Sequence, residues 1–169
     1  MQSTLIGADA GTIGMLGGLG VRLMLAGAQL DNRFSLIEHP LLPRALGSPL
    51  HRHSREDEFS LVLEGEVGVM QGEDVVIARP GELVVKPRGV WHAFWNASDR
   101  PARLLEVISP AGFEAYFAEV IGLGGPGVVP PQVMGEICQR YGLEMDPASV
   151  PMLAQRFGLM LGPPPAQAA

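Results

Sequence analysis

The sequence predicts an all-β barrel or sandwich followed by helices, and three observations lead there. Short runs rich in Val, Ile, Leu and aromatic residues recur between residues 33 and 109. Each run is bounded by Gly, Pro, Asn or Asp, which supply turn geometry. No helical stretch separates the runs, so the crossovers that a parallel α/β sheet needs have no room.

The first 33 residues are glycine-rich. "GMLGGLG" (14–20) has the wrong spacing for a nucleotide-binding loop and reads as a turn between strands at a sheet edge, with "VRLMLAG" as the strand that follows. The expected strands are then "RFSLIEHPL" (33–41), "EFSLVLE" (58–64), "EVGVMQ" (66–71), "DVVIAR" (74–79), "ELVVKP" (82–87), "WHAFWN" (91–96) and "ARLLEVIS" (102–109). Gly65, "QGED", "RPGE", "PRGV" and "NASDRP" punctuate them. Many short strands at near-regular spacing point to a sandwich or barrel.

After Ser109 the pattern turns helical. "GFEAYFAEVIG" (112–122) sets Phe113, Phe117, Val120 and Ile121 on one face. Helices are also expected in 131–143 and 149–159, with Gly142 and Gly158 as C-terminal caps and Ser149 as an N-cap. The expected organisation is a β-barrel over 1–110, a helical extension over 111–160 packed on it, and a disordered tail over 161–169.

Composition excludes several function classes. The net charge is −6 and there is no basic block, which argues against nucleic acid and anionic membrane surfaces as partners. A single cysteine, Cys138, allows neither an internal disulfide nor a four-cysteine zinc site and fits a reducing cytoplasm. The apolar first 25 residues lack a basic start, contain Asp9 and are broken by glycines, so they are not read as a signal peptide. The expectation is a cytoplasmic protein that takes a small-molecule substrate or ligand.

Two segments carry chemistry. In "PLHRHSREDEFSLVLEGE" (49–66), His51 and His53 point to the same face of a strand, about 6.6 Å apart along it. That spacing lets two imidazoles converge on an ion with nitrogen–metal bonds of about 2.1 Å. Glu58 follows a short turn and can reach back toward them. Alone, the pattern suits either a metal site or an ordinary solvated turn. The second segment, "GELVVKPRGVWHAFWN" (81–96), reads glycine, five residues, proline, one, glycine, two, histidine, three, asparagine.

Together the segments resemble the cupin superfamily, with its motifs G-x5-H-x-H-x3,4-E-x6-G and G-x5-P-x-G-x2-H-x3-N. The second motif matches at every defined position. The first matches at His51, His53, Glu58 and Gly65 and departs at its opening glycine, where Ala45 stands and Gly47 lies two residues later. The resemblance spans residues 33–110 and is similar to small bacterial single-domain, quercetin-dioxygenase-like members. It implies a double-stranded β-helix, or jelly-roll, barrel. It implies His51, His53, Glu58 and His92 as ligands of one divalent transition metal (Fe, Mn, Ni, Co, Cu or Zn), with two positions left for water, substrate or dioxygen.

The function it implies first is a quercetinase-like dioxygenase acting on a small aromatic or enolisable molecule, with Glu58 as the base that accepts the substrate's proton. A non-catalytic metal- or ligand-binding protein, a sensor or accessory, is the second reading. A sugar or sugar-phosphate isomerase is the third, because inward positions near the ligands read as mostly apolar. A homodimer is expected. Phe94 shares the face of His92 and should line the pocket, with Trp91 and Trp95 on the opposite side. Glu56 and Asp57 are expected in solvent, Asp57 being the better of two poor substitute ligands. Arg52 and Arg55 are expected to balance them, and His39 lies outside both motifs as a structural residue within reach of the pocket.

Overall fold

Period-two alternation, one side chain inward and the next outward, runs through the strands over 50–53, 57–64 and 102–109 of the computed structural model, which describes residues 5–161. Strands β1 (Thr12–Leu16) and β2 (Leu19–Leu25) form a hairpin across Gly17 and Gly18, where the nucleotide-loop reading was set aside. Strands β3 (Ser35–Leu41), β4 (Leu50–His53), β5 (Asp57–Glu64), β6 (Val67–Gln71), β7 (Asp74–Ala78), β8 (Leu83–Lys86), β9 (His92–Trp95) and β10 (Ala102–Ser109) follow. Beyond them come α1 (Glu114–Gly122), α2 (Pro131–Arg140), a further strand β11 (Leu143–Asp146) and α3 (Ser149–Phe157).

The strands form two antiparallel sheets. One is ordered β1-β2-β3-β10-β5-β8 and the other β11-β4-β9-β6-β7. Their facing sides enclose the barrel interior. Strand β10 alternates without a break, burying Ala102, Leu104, Glu106 and Ile108, while β5 buries Glu58, Ser60 and Val62. Leu19, Leu41, Val62, Val69, Phe94 and Leu104 pack in one part of the barrel. Elsewhere Phe113, Tyr116, Phe117 and Val120 of the α1 region pack on Val21, Ile37 and Ile108. Strand β9 is buried on both faces because Trp95, on its outer side, packs with Leu153 of α3 and stacks on Phe157 at 3.8 Å between ring centroids.

The helices therefore pack on the barrel, but the extension is not helical throughout. The helix expected to run to residue 143 ends at Arg140, and Gly142 turns the chain in the left-handed region at φ 65°. Residues 143–146 then pair with β4, setting Leu143 opposite His53 and Met145 opposite His51. Helical periodicity could not reveal a strand four residues long whose pairing partner lies ninety residues away. Ser149 does not cap α3. Its hydroxyl donates to the Asp146 carbonyl and accepts from the Leu50 amide, tying the helix start to β4. Residues 162–169, nearly all of the expected tail, lie outside the described residues. Among the described residues no helix is long and apolar enough to cross a membrane.

Gly68 sits opposite Trp95 in the β6–β9 pair, and a Cβ there would lie 2.3 Å from the indole ring. The ring is pinned from the other side by Phe157, so it cannot yield. Gly68→Ala is expected to destabilise the fold by about 1–3 kcal/mol through overpacking. Urea denaturation should show this as a lower midpoint with an unchanged slope.

Candidate metal centre

Strand register brings the four expected ligands together. In the β4–β9 pair His51 stands directly opposite His92, and His53 lies two residues on, on the same inward face. Glu58 reaches the same point from the neighbouring sheet. All four side chains are buried, and one ligand atom from each lies within 4.8 Å of the others. A small inward adjustment would close these atoms on an ion at about 2.0–2.2 Å from each.

Backbone acceptors select the tautomers. His51 Nδ1 lies 2.9 Å from the Pro49 carbonyl and His92 Nδ1 lies 2.9 Å from the Val90 carbonyl. A carbonyl only accepts, so each Nδ1–H donates and each neutral ring keeps its Nε2 lone pair for the interior. Glu58 Oε1 lies 3.2 Å from His53 Nε2, and Glu58 Oε2 lies 3.2 Å from His92 Nε2. His53 has no hydrogen-bond partner at either nitrogen. Lone pairs gathered on one buried point repel one another unless a cation sits among them. The donor set therefore fits a divalent metal, and three imidazoles with one carboxylate do not choose among Fe, Mn, Ni, Co, Cu and Zn.

A buried charge row continues behind the cluster. Lys86 faces Glu58 in the β5–β8 register, its Nζ 2.9 Å from Glu58 Oε2, and it also pairs with Glu106 Oε1. Ser60 Oγ donates to the same Glu106 oxygen at 2.7 Å. Burial by itself would raise the Glu58 carboxyl, but the Lys86 ammonium and His53 outweigh it and hold the group well below the usual range. For Lys86 burial favours the neutral amine, and the two carboxylates overcome that and raise its pKa. His51 is pushed well below the ordinary imidazole value by burial and by its neighbours His92 and His53. For His53 burial lowers the value, but Glu58 more than offsets it and the net shift is upward.

Other expected residues divide. Phe94 is buried and lines the cavity, as the alternation implied. Trp95 is buried on the outer side and Trp91 lies under the Arg52 guanidinium at 5.1 Å. Asp57 points away from the cluster and pairs with Arg88 at 2.5 Å. Arg52 pairs with Glu144 at 2.6 Å and Arg55 donates to the Arg140 carbonyl at 3.1 Å. Glu56 corrects an expectation: it is buried, not solvated, with Oε2 3.8 Å from His53 Nδ1. It stands behind the ring and faces the nitrogen turned away from the cluster. Lys86 and Glu106 were missed by the reading of an apolar interior, although the unbroken alternation from Ala102 to Ile108 already points Glu106 inward.

His51 and Glu58 of the cluster face a cavity of about 650 Å³. His39, His51, Glu58 and Glu106 contribute its polar wall, and Phe94, Phe113, Phe117, Met134, Leu143 and Met145 are among its apolar lining. Phe113 sets its ring edge-on to His53, with centroids 4.3 Å apart, so the α1 region shields the site from one side.

Three histidines and a glutamate thus converge at one interior point of a two-sheet barrel, a donor set that could hold a metal ion. Residues 40–108, which include all four cluster residues, match the family model described as "Cupin domain", and the two-sheet fold agrees with that match. No curated protein sequence matches the chain. Among solved structures it is similar to KdgF from Halomonas sp., at TM-score 0.58 and 17% identity over 66% of this chain and 99% of that one. It is also similar to a cupin sugar phosphate isomerase from Silicibacter pomeroyi, at TM-score 0.55 and 25% identity over 63% and 75%. A third is a predicted oxalate decarboxylase from Thermotoga maritima, at TM-score 0.59 and 18% identity over 63% and 99%. At their identities the first and third show the fold alone.

Because Glu58 raises His53, a proton competes with the metal for its Nε2 below that raised value, while His51 stays neutral. Metal affinity should fall as pH drops from 8 to 6, approaching about tenfold per pH unit where one ring must lose its proton. Chelator competition with zinc at several pH values checks this.

Proposed function

We propose that the chain is a metal-dependent dioxygenase of quercetinase-like type, acting on a small aromatic or enolisable molecule. The observation that carries this reading is that the His51–His53–Glu58–His92 cluster meets, through His51 and Glu58, a cavity with an aromatic and methionine-rich wall. His51, His53, Glu58 and His92 would hold the ion. The ion would polarise a ligand oxygen and, if redox-active, activate dioxygen. Phe94, Phe113 and Phe117 offer ring faces and edges to a planar ligand and exclude water from it.

Lys86 keeps Glu58 ionised and aimed at the cluster, and Glu56 stands behind His53. The base role expected of Glu58 is less well supported than its role as ligand. Both its oxygens already face imidazoles, and one also meets the Lys86 ammonium.

The isomerase relative at 25% identity raises a sugar phosphate as the other ligand class. A phosphate calls for free Lys or Arg in the pocket. Arg44 is the one lysine or arginine lining this cavity among the described residues, and Asp99 already holds its guanidinium at 2.8 and 3.1 Å. An apolar hydroxylated ring suits the wall better.

Oxygen-electrode assays on protein loaded in turn with iron, manganese, nickel and copper, against flavonols, catechols and enolised diketones, should find uptake with at least one pair. His92→Ala should abolish it. Absence of uptake across the whole panel contradicts the reading.

A further inference from the structure

We propose that His39 is a second catalytic group of this cavity, accepting the hydroxyl proton of the bound molecule, with Glu106 as its positioning residue. The assignment rests on the ligand class proposed above. His39 lies on β3, outside the metal cluster, and is fully buried. Its Nδ1 is 2.8 Å from the Gly20 carbonyl, so Nδ1–H donates there, and in the neutral tautomer that this contact selects Nε2 presents a lone pair.

That lone pair has no donor. Nε2 lies 3.3 Å from Glu106 Oε2, but no hydrogen bond joins them and Nε2 is left unpartnered. Glu106 cannot be the donor as a carboxylate, and its other oxygen is taken by Ser60 and Lys86. His39 Nε2 is thus a buried acceptor without a donor, standing beside Glu106 Oε2. The other groups facing His39 are rings and a carbonyl: Phe94 from β9 at 6.4 Å, Phe117 from α1 at 5.4 Å, both between centroids, and Gly20 from β2. His39 and Glu106 line the same cavity as His51 and Glu58.

Buried acceptors without donors mark a place for one. A ligand hydroxyl supplies it. The step is a proton transfer: the ligand O–H bond breaks, an N–H bond forms at Nε2, and the electron pair stays on the ligand oxygen. The imidazolium so formed faces Glu106 Oε2, and the cavity's net charge is unchanged. Glu58 is a poorer acceptor for this proton because one oxygen meets the Lys86 ammonium and the carboxylate belongs to the cluster that would hold the ion.

The chain has four histidines, three of them in the cluster, so imidazole nitrogen NMR of ¹⁵N-histidine-labelled, zinc-loaded protein is simple to read. His39 is the ring that zinc leaves unshifted, and the ring missing from His39→Gln. With catechol as probe, which is uncharged in solution near neutral pH, its Nε2 resonance should move to the protonated position on saturation. Calorimetry in buffers of different ionisation enthalpy should show no net proton release from wild type, and release of about one proton per ligand from His39→Gln. An unmoved Nε2 in wild type, or equal release from wild type and His39→Gln, overturns the role of His39 and leaves the ligand class standing. Zinc that shifts none of the rings, or zinc-loaded wild type that does not take up the probe, overturns the ligand reading and this assignment with it.

Discussion

Two carboxylates and an ammonium lie in a row inside this barrel, Glu58, Lys86 and Glu106, each almost fully shielded from water. Buried charges of this kind hold only as a set, because removing one partner leaves another uncompensated at a cost of about 3–5 kcal/mol. The row therefore constrains much else. It requires the β5–β8 register that sets Glu58 opposite Lys86 and the β10–β5 register that sets Glu106 opposite Ser60. A slip of one residue would turn each of these groups out of the barrel. Glu58 takes its place from these registers, and the imidazoles take theirs from the β4–β9 register of the other sheet.

The two sheets contribute differently. Strands β4 and β9, from one sheet, supply the imidazoles, and the backbone carbonyls of Pro49 and Val90 fix how two of those rings present their lone pairs. Strand β5, from the other sheet, supplies the carboxylate, already oriented by the lysine behind it. The C-terminal segment closes the arrangement: β11 extends the histidine-bearing sheet, and the α1 region lays Phe113 against His53. A polar wall backed by charge faces an apolar wall built by the helices, which is why a ring carrying hydroxyl groups suits the cavity.

Much of this was legible in the sequence. Alternation and turn residues marked β3 and β5 to β10 within a residue or two. Strand β4 was read only as the strand carrying His51 and His53, and motif spacing singled out His51, His53, Glu58 and His92. Phe94 followed from the same alternation. What escaped reading depends on partners distant in the chain. Strand β11 is recognisable only from its pairing with β4, and Glu56 is buried beside the His53 ring, where no local signal in the turn places it. Lys86 is buried because Glu58 and Glu106 neutralise it, a fact about three strands that no single segment carries. His39 stood out only as a histidine without a motif; its missing hydrogen-bond donor is visible only in three dimensions.

The central claim is that the buried imidazoles and Glu58 form a metal site inside the barrel. Elemental analysis of protein purified without chelators or affinity metals tests it most directly. The account predicts near one transition-metal ion per chain in the wild type, with that metal lost in His92→Ala although the variant stays folded. Wild-type protein that carries no metal, and takes up none when offered iron, manganese, nickel, cobalt, copper or zinc, would contradict it.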